Sequence, residues 1–486
     1  MKRIYDFTGM LLAFLLAFGI SEAQTGKTDA TTLKKRALTN LDKNQDGYQK
    51  IALQIWDYAE VGFKEYKSTI LLQKELQRNG FRIDTGVADI PTAFVATYGQ
   101  GKPVIGILAE YDALPGLAQD TVPDKKILAG RGAGHGCGHH LLGTAGIAAA
   151  IEIKKMLEQK ELSGTIKVYG TPAEEGGSGK VYMVRAGLFR GVDAVLHWHP
   201  GSENSVMAGS SLANISAKFR FYGLSAHAAA APERGRSALD ALESMDYMVN
   251  LMREHIPSDT RIHYVITDGG KAPNVVPDFA ESYYYVRNPG NENVQQIFER
   301  ITKAGEGAAL GTGTKMQYEV TGGVYGLLIN KTLTGAMQKN LEMTGGIEYD
   351  SKETAFAKKL QTSFDYRVPA VESVKNVAAL DPSNGIGGST DVGDVSWNVP
   401  TVGLSAATWV AGTPAHSWQA VASGGTSIGI KGMQVAAKCL TLTAIDLFTD
   451  AALRGKALEE FNRSRGDKFE YKALLGNRQP ALHYRD

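Results

Sequence analysis

The sequence predicts an α/β fold interrupted by a smaller α+β unit, and three observations carry that expectation. Strand-like and helix-like apolar patterns alternate from about residue 93 to residue 200, as they do where helices cover the faces of a largely parallel sheet. Near residue 212 the pattern changes to half-buried strands and two longer helices, and near residue 324 apolar helices resume. With 486 residues and 43% hydrophobic content, the chain can build two or three domains around a large core.

The elements follow in order. Lys2 and Arg3, the apolar run Met10–Phe18 and the small residues of Ser21-Glu22-Ala23 predict a signal peptide over residues 1–23, hence an exported protein, periplasmic or secreted. The run is shorter than the roughly 20 residues a spanning helix needs, and no later stretch qualifies, so stable membrane insertion is not expected. After a lysine-rich segment, Asp42-Lys43-Asn44-Gln45-Asp46-Gly47 imitates the opening of a calcium loop, but Leu53 stands where a bidentate glutamate is required. Asp42 and Asp46 are instead expected to start a helix from Gln49 to Glu60, and a second helix, Ser68–Asn79, stops at Gly80. Ala93–Thr97, Val104–Leu108, Thr165–Tyr169 and Ala194–Leu196 read as strands, with Leu141–Glu158 a helix among them.

From residue 212 the strands Leu212–Phe221, Arg261–Thr267, Ala280–Arg287 and Thr314–Val320 and the helices Ser237–His255 and Val294–Ala309 give the order βαββαβ, a ferredoxin-like arrangement. Thr401–Leu404 and the helix Thr426–Asp450 then complete the first domain. The expected organisation is a catalytic domain in two parts, 24–211 and 324–486, with an inserted unit over 212–323.

Charge excludes some partners. Lysine and arginine number 52 against 51 acids, so neither nucleic acid nor a polybasic membrane contact is indicated. Any selectivity must reside in a local pocket. Of two cysteines, Cys439 falls in the helical pattern Val435–Leu442 and reads as a small core hydrophobe.

Chemistry concentrates elsewhere. In Gly134-His135-Gly136-Cys137-Gly138-His139-His140, thiol and imidazoles alternate with glycines, and Cys137 and His139 can reach one metal ion from a single turn. Ligands gather at strand carboxyl ends in such sheets, and three predicted strands are followed by Glu110 and Asp112, by Glu174 and Glu175, and by His197 and His199. Adjacent carboxylates such as Glu174 and Glu175 stay ionised in a pocket only beside cations. His197 and His199, two apart on a strand, face one way, and either could be a ligand. Seven of the ten histidines fall in these segments, in Gly223–Ala229 around His227, or in Ala411–Ser417 around His416.

Six segments in this order, Ala109–Pro115, Cys137-Gly138-His139, Thr171–Gly177, Asp193–Pro200, Gly223–Asp240 and Ala411–Ser417, resemble the M20 metallopeptidase and amidohydrolase family. The likeness runs from about residue 35 to 460 and is strongest to the branch of aminobenzoyl-glutamate hydrolases and N-acyl amino acid amidohydrolases. It implies a zinc-exopeptidase-like catalytic domain with an inserted lid, through which a homodimer would form. It also implies two divalent metal ions, zinc or manganese, held by Cys137, His139, Glu175, His199 and His416. By the same resemblance Glu174 is the general base, Asp112 accepts from a ligand imidazole, and His227 polarises the scissile carbonyl, across a dimer in many relatives. Asn274 and Arg287 match positions that hold substrate. His135 and His140 are left as pocket-lining neighbours, although the family often has aspartate or asparagine where His140 stands. The implied function is hydrolysis of an aminobenzoyl or N-acyl amino acid, with dipeptides as an alternative and a non-catalytic relative as a different class. For the export expectation, sequencing the mature N-terminus should give Gln24 first; a chain still starting at Met1 would refute it.

Overall fold

The structure is a computed structural model and describes residues 29–383, 385 and 387–486; the expected signal peptide lies outside the described residues. The first element is a helix, Ala30–Lys43, where the composition reads only as a polar segment. Its buried Leu33, Ala37 and Leu41 recur every four residues, so a narrow apolar stripe suffices to dock it. Asp42 sits inside this helix and pairs with Lys438 at 2.6 Å, rather than opening the next helix, Gln45–Tyr58.

The strands are β1 (Arg82–Thr85), β2 (Phe94–Gln100), β3 (Val104–Ala109), β4 (Leu114–Pro115), β5 (Ala133–Gly134), β6 (Gly164–Gly170), β7 (Ala194–Gly201), β8 (Ser205–Val206), β9 (Ala213–Tyr222), β10 (Arg261–Asp268), β11 (Phe279–Asn288), β12 (Lys315–Val324) and β13 (Thr401–Ala407). Seven form one mixed sheet in the order β1-β2-β6-β3-β7-β13-β8. Its centre, β6-β3-β7-β13, is parallel, so these strands end at the same edge. Side chains alternate between faces: Ile105, Ile107 and Leu196 enter a core shared with the helix His139–Glu158, while Leu108, Tyr169 and Val195 enter a second core under the helix Gly179–Arg185.

A second sheet, all antiparallel in the order β10-β11-β9-β12, carries the helices Ala238–Met252 and Asn291–Thr312. Phe219, Phe221, Tyr284, Leu242 and Ile301 fill a core of its own between strands and helices.

One helix among the described residues, Ser427–Thr449, is long and apolar enough to cross a membrane, which corrects the expectation that no later stretch qualifies. Its most apolar stretch is 89% buried against other parts of this chain. It packs on the helices Ala30–Lys43, His139–Glu158 and Lys331–Thr344, so its hydropathy is that of a core helix. Cys439 lies within it, fully buried, and both cysteines are free thiols.

Candidate active site

The site assembles at the carboxyl edge of the parallel strands. Gly138, with φ +74°, turns the chain between Cys137 and the first residue of the helix, His139. A Cβ there would lie 2.7 Å from Pro200, so only glycine lets this turn approach the end of β7. The chain following β6 makes a second sharp turn: Ala173 and Ser178, both at φ +57°, flank Glu174–Gly177. His416 also has a left-handed backbone, φ +59°, and its N–H donates to the Gly136 carbonyl at 2.9 Å. Left-handed backbone at residues other than glycine is strained and persists where surrounding contacts impose it.

These turns bring Cys137, His139, Glu174, Glu175, His199 and His416 together. Cys137 Sγ lies 3.2 Å from His199 Nε2, while His199 Nδ1 donates to the Pro200 carbonyl at 2.7 Å. Protonation at Nδ1 leaves the Nε2 lone pair aimed at the thiol. His139 Nδ1 is 2.8 Å from Asp112 Oδ1, and Asp112 Oδ2 accepts the Glu175 N–H at 2.9 Å. His416 Nε2 is 3.2 Å from Glu175 Oε1. Within each of three sets, Cys137–His139–His199, Cys137–Glu175–His416 and His139–Glu174–Glu175, the ligand-type atoms all lie within 4.8 Å of one another.

The donor set fits metal. His139 Nε2 faces Glu110 Oε2 at 3.2 Å and His416 Nε2 faces Glu175 Oε1 at 3.2 Å, yet His139 Nε2, Glu110 Oε2 and Glu175 Oε1 are buried without a well-formed hydrogen bond, an arrangement that a cation among them would complete. Thiolate, imidazole and carboxylate suit zinc and similar divalent ions, and the two sets that share Cys137 offer places for a pair.

The electrostatics express the same crowding. Burial works against charge on His139, yet Asp112, Cys137 and Glu110 together hold its pKa well above the usual histidine value. Burial, with Glu110 and Glu175 nearby, pushes the Glu174 carboxyl up. Burial and Glu175 likewise raise the Cys137 thiol.

Residues 106–403 match the peptidase family M20/M25/M40. The chain belongs to this family. Over 451 residues it is 43% identical to one of the p-aminobenzoyl-glutamate hydrolase subunits of Escherichia coli K12, spanning 86% of this chain and 93% of that protein. It is 30% identical over 458 residues to the Xaa-Arg dipeptidase of Mus musculus, spanning 90% and 95%. In fold it is similar to the YXEP protein of Bacillus subtilis, a dinuclear metal-binding peptidase of the M20 family, with TM-score 0.57, 17% identity, and 85% and 99% of the two chains covered. This M20 chain is a hydrolase that acts on amide bonds.

Other residues stand elsewhere in this M20 hydrolase. His227 is exposed in the second sheet's domain, where its Nδ1 accepts from the backbone N–H groups of Ala229 and Ala230 at 3.2 and 3.1 Å. Asn274 is exposed beside it, its carbonyl accepting from Ala228 at 3.0 Å. Arg287 is half-buried on β11. His227 joins none of the ligand-type sets. His197 faces the same way as His199 but one step back, its ring pressed on Gly403 of β13, where a Cβ would lie 2.3 Å from Nε2. Burial lowers its pKa to about 4.

His135 and His140 do not line the pocket, and that expectation is corrected. Both are at most 1% exposed, and each places Nε2 3.0 Å from a backbone carbonyl, of Ile55 and Gly424 respectively. Burial holds both below the usual range, His135 at about 3, so they act as neutral pins between loops.

Sequence reasoning passed over Lys180, although a lone lysine inside Gly179–Val184, an otherwise apolar run, is a signal for a buried charge. It is 0% exposed and pairs with Glu110 at 2.6 Å and Asp391 at 2.7 Å. Burial alone would favour neutral lysine; Asp391 and Glu110 outweigh it and raise the pKa. Lys180→Met would leave two carboxylates buried without their cation, a loss of about 3–5 kcal/mol. Denaturant unfolding of Lys180→Met and of Lys180→Met with Asp391→Asn should show that cost in the first and a partial recovery in the second.

Proposed function

We propose that this M20 hydrolase cleaves the amide bond of an aminobenzoyl or N-acyl amino acid, with p-aminobenzoyl-glutamate the first substrate to test. One observation carries the reading: two sets of donor atoms share Cys137, and Glu174 lies in the neighbouring set with His139 and Glu175. Identity of 43% to a p-aminobenzoyl-glutamate hydrolase subunit supports the choice of substrate. Cys137, His139 and His199 would hold one divalent ion, and Cys137, Glu175 and His416 the other, with zinc or manganese the candidates. Bound there, such ions acidify water and polarise a carbonyl.

The chain's own residues do the rest. Asp112 orients His139 through Nδ1 and fixes the turn of Glu175 through its N–H, the outer contacts that set ligand direction. Glu174 takes the proton of the attacking water and returns it to the leaving amine nitrogen. His227, whose Nδ1 is occupied by two backbone donors, carries its proton on Nε2 and presents an outward N–H, suited to the oxygen that gains charge in the transition state. His227 belongs to none of the donor sets of its own chain; on this reading it serves the site of a second copy, and the working unit is a homodimer through the second sheet's domain. A dipeptidase of the same family is the second reading, favoured by the likeness to the Xaa-Arg dipeptidase.

Glu174→Ala should lower turnover of p-aminobenzoyl-glutamate by about 10²–10⁴-fold while metal content by elemental analysis is unchanged; undiminished release of glutamate would refute the role of Glu174. For the shared site, Cys137→Ala and His227→Ala should each be inactive alone and regain part of the activity when mixed and allowed to exchange subunits. No recovery, with subunit exchange confirmed by mass, would place His227 outside the reaction.

A further inference from the structure

Among the described residues, two half-buried guanidinium groups, Arg485 beside Glu175 and Arg287 on β11, form no ion pair with a carboxylate. Arg485, in the C-terminal segment, donates through Nη2 to the Glu175 carbonyl at 2.7 Å, and its Nη2 would lie 3.9 Å from a Cβ on Gly176. Its Cζ stacks 4.7 Å from the ring centroid of Tyr484, whose hydroxyl donates to the same carbonyl at 3.0 Å. Arg485 Nε is buried with no partner. Arg287, on β11, has its Cζ 5.5 Å from the ring centroid of Tyr285, and its Nε is likewise buried and unpartnered. Both guanidinium groups oppose the burial that raises the Tyr285 phenol. By contrast Arg478 of the same tail reaches Glu319 at 3.2 Å, and Lys64 reaches Asp486 at 2.6 Å.

Partly buried charge without a counterion is unfavourable, and a guanidinium fork fits a carboxylate best. Arg485 sits at the Glu175 turn, beside the donor sets. We infer that Arg485 is a specificity-determining residue that receives the side-chain carboxylate of a dicarboxylic leaving amino acid, whose α-carboxylate falls to Arg287 as the family resemblance implies. This rests on the amide-hydrolase reading proposed above and deepens it by assigning the residue that reads the acidic side chain of the leaving amino acid.

The test compares p-aminobenzoyl-glutamate with p-aminobenzoyl-glutamine, which differ in one charged group. The wild type should favour the glutamate amide by about 10–100-fold in kcat/KM, the equivalent of one hydrogen-bonded charge pair. Arg485→Gln can still donate to the Glu175 carbonyl but carries no charge; it should lose most of that preference, chiefly through KM on the glutamate amide. Arg485→Lys, the conservative second variant, keeps the charge without the fork and should retain part of the preference. Equal losses on both amides would mean that Arg485 only braces the turn at Glu175, and would overturn the inference, as would a wild type with no preference. If the wild type cleaves neither amide, the proposed function falls separately. The comparison is then made by calorimetry with N-acetyl-glutamate and N-acetyl-glutamine: discrimination lost in Arg485→Gln supports the inference, and its absence in the wild type sinks it.

Discussion

The carboxylate of Asp112 joins the two halves of this site. One oxygen takes His139 Nδ1, on the turn before a long helix, and the other takes the Glu175 N–H, on the turn after β6. Both contacts are short, and Asp112 and His139 are fully buried, where a charge-assisted hydrogen bond is strong and its loss is expensive. Through them one side chain sets the direction of an imidazole and the path of an acidic turn at once. The remaining donor atoms can converge only because these two loops are held in register. Asp112 itself is placed by β3, whose end lies at the carboxyl edge of the parallel strands with those of β6 and β7.

Convergence of this kind concentrates negative charge. Glu110, Asp112, Glu174, Glu175 and Asp391 crowd one region, and the fold answers part of that charge permanently with Lys180. The lysine projects from the helix Gly179–Arg185 and pairs with Glu110 and Asp391 at once, offsetting one of their two charges. His139 Nε2 meets Glu110 Oε2, and His416 Nε2 meets Glu175 Oε1, at 3.2 Å without a well-formed hydrogen bond. A protein that buries acceptors and lone pairs in this way is arranged for cations it does not itself supply.

The tail closes the same turn from outside. Tyr484 and Arg485 both donate to the Glu175 carbonyl, Phe63 packs edge-on to Tyr484, and Lys64 pairs with Asp486. Nothing in the sequence marks these last residues as near the site, since they carry no motif and follow a long helix. Their position depends on where the chain returns after Ala451–Arg465, which packing alone decides. The second sheet shows the complementary case. Its alternating strands and amphipathic helices make the βαββαβ order readable from local pattern, yet the relation of His227 to the donor sets lies beyond any local pattern.

The sequence by itself determined the chemistry on offer and the local elements that present it. Alternating periodicity gave the strands and helices, and the clustering of cysteine, histidine and paired glutamates in glycine-bearing turns gave the donor types. It left open whether His197 or His199 meets Cys137, since two residues on one strand face share an orientation and differ only in depth. The tertiary structure placed His199 against the thiol and His197 under β13. It also turned His135 and His140 inward onto carbonyls, paired Lys180 with distant acids, and drew Arg485 to Glu175. The physical reason is one of range. Periodicity and backbone preference act over a few residues, whereas distance, direction and burial between Cys137 and His416, or Asp112 and Glu175, exist only once the sheet has brought their loops to one edge.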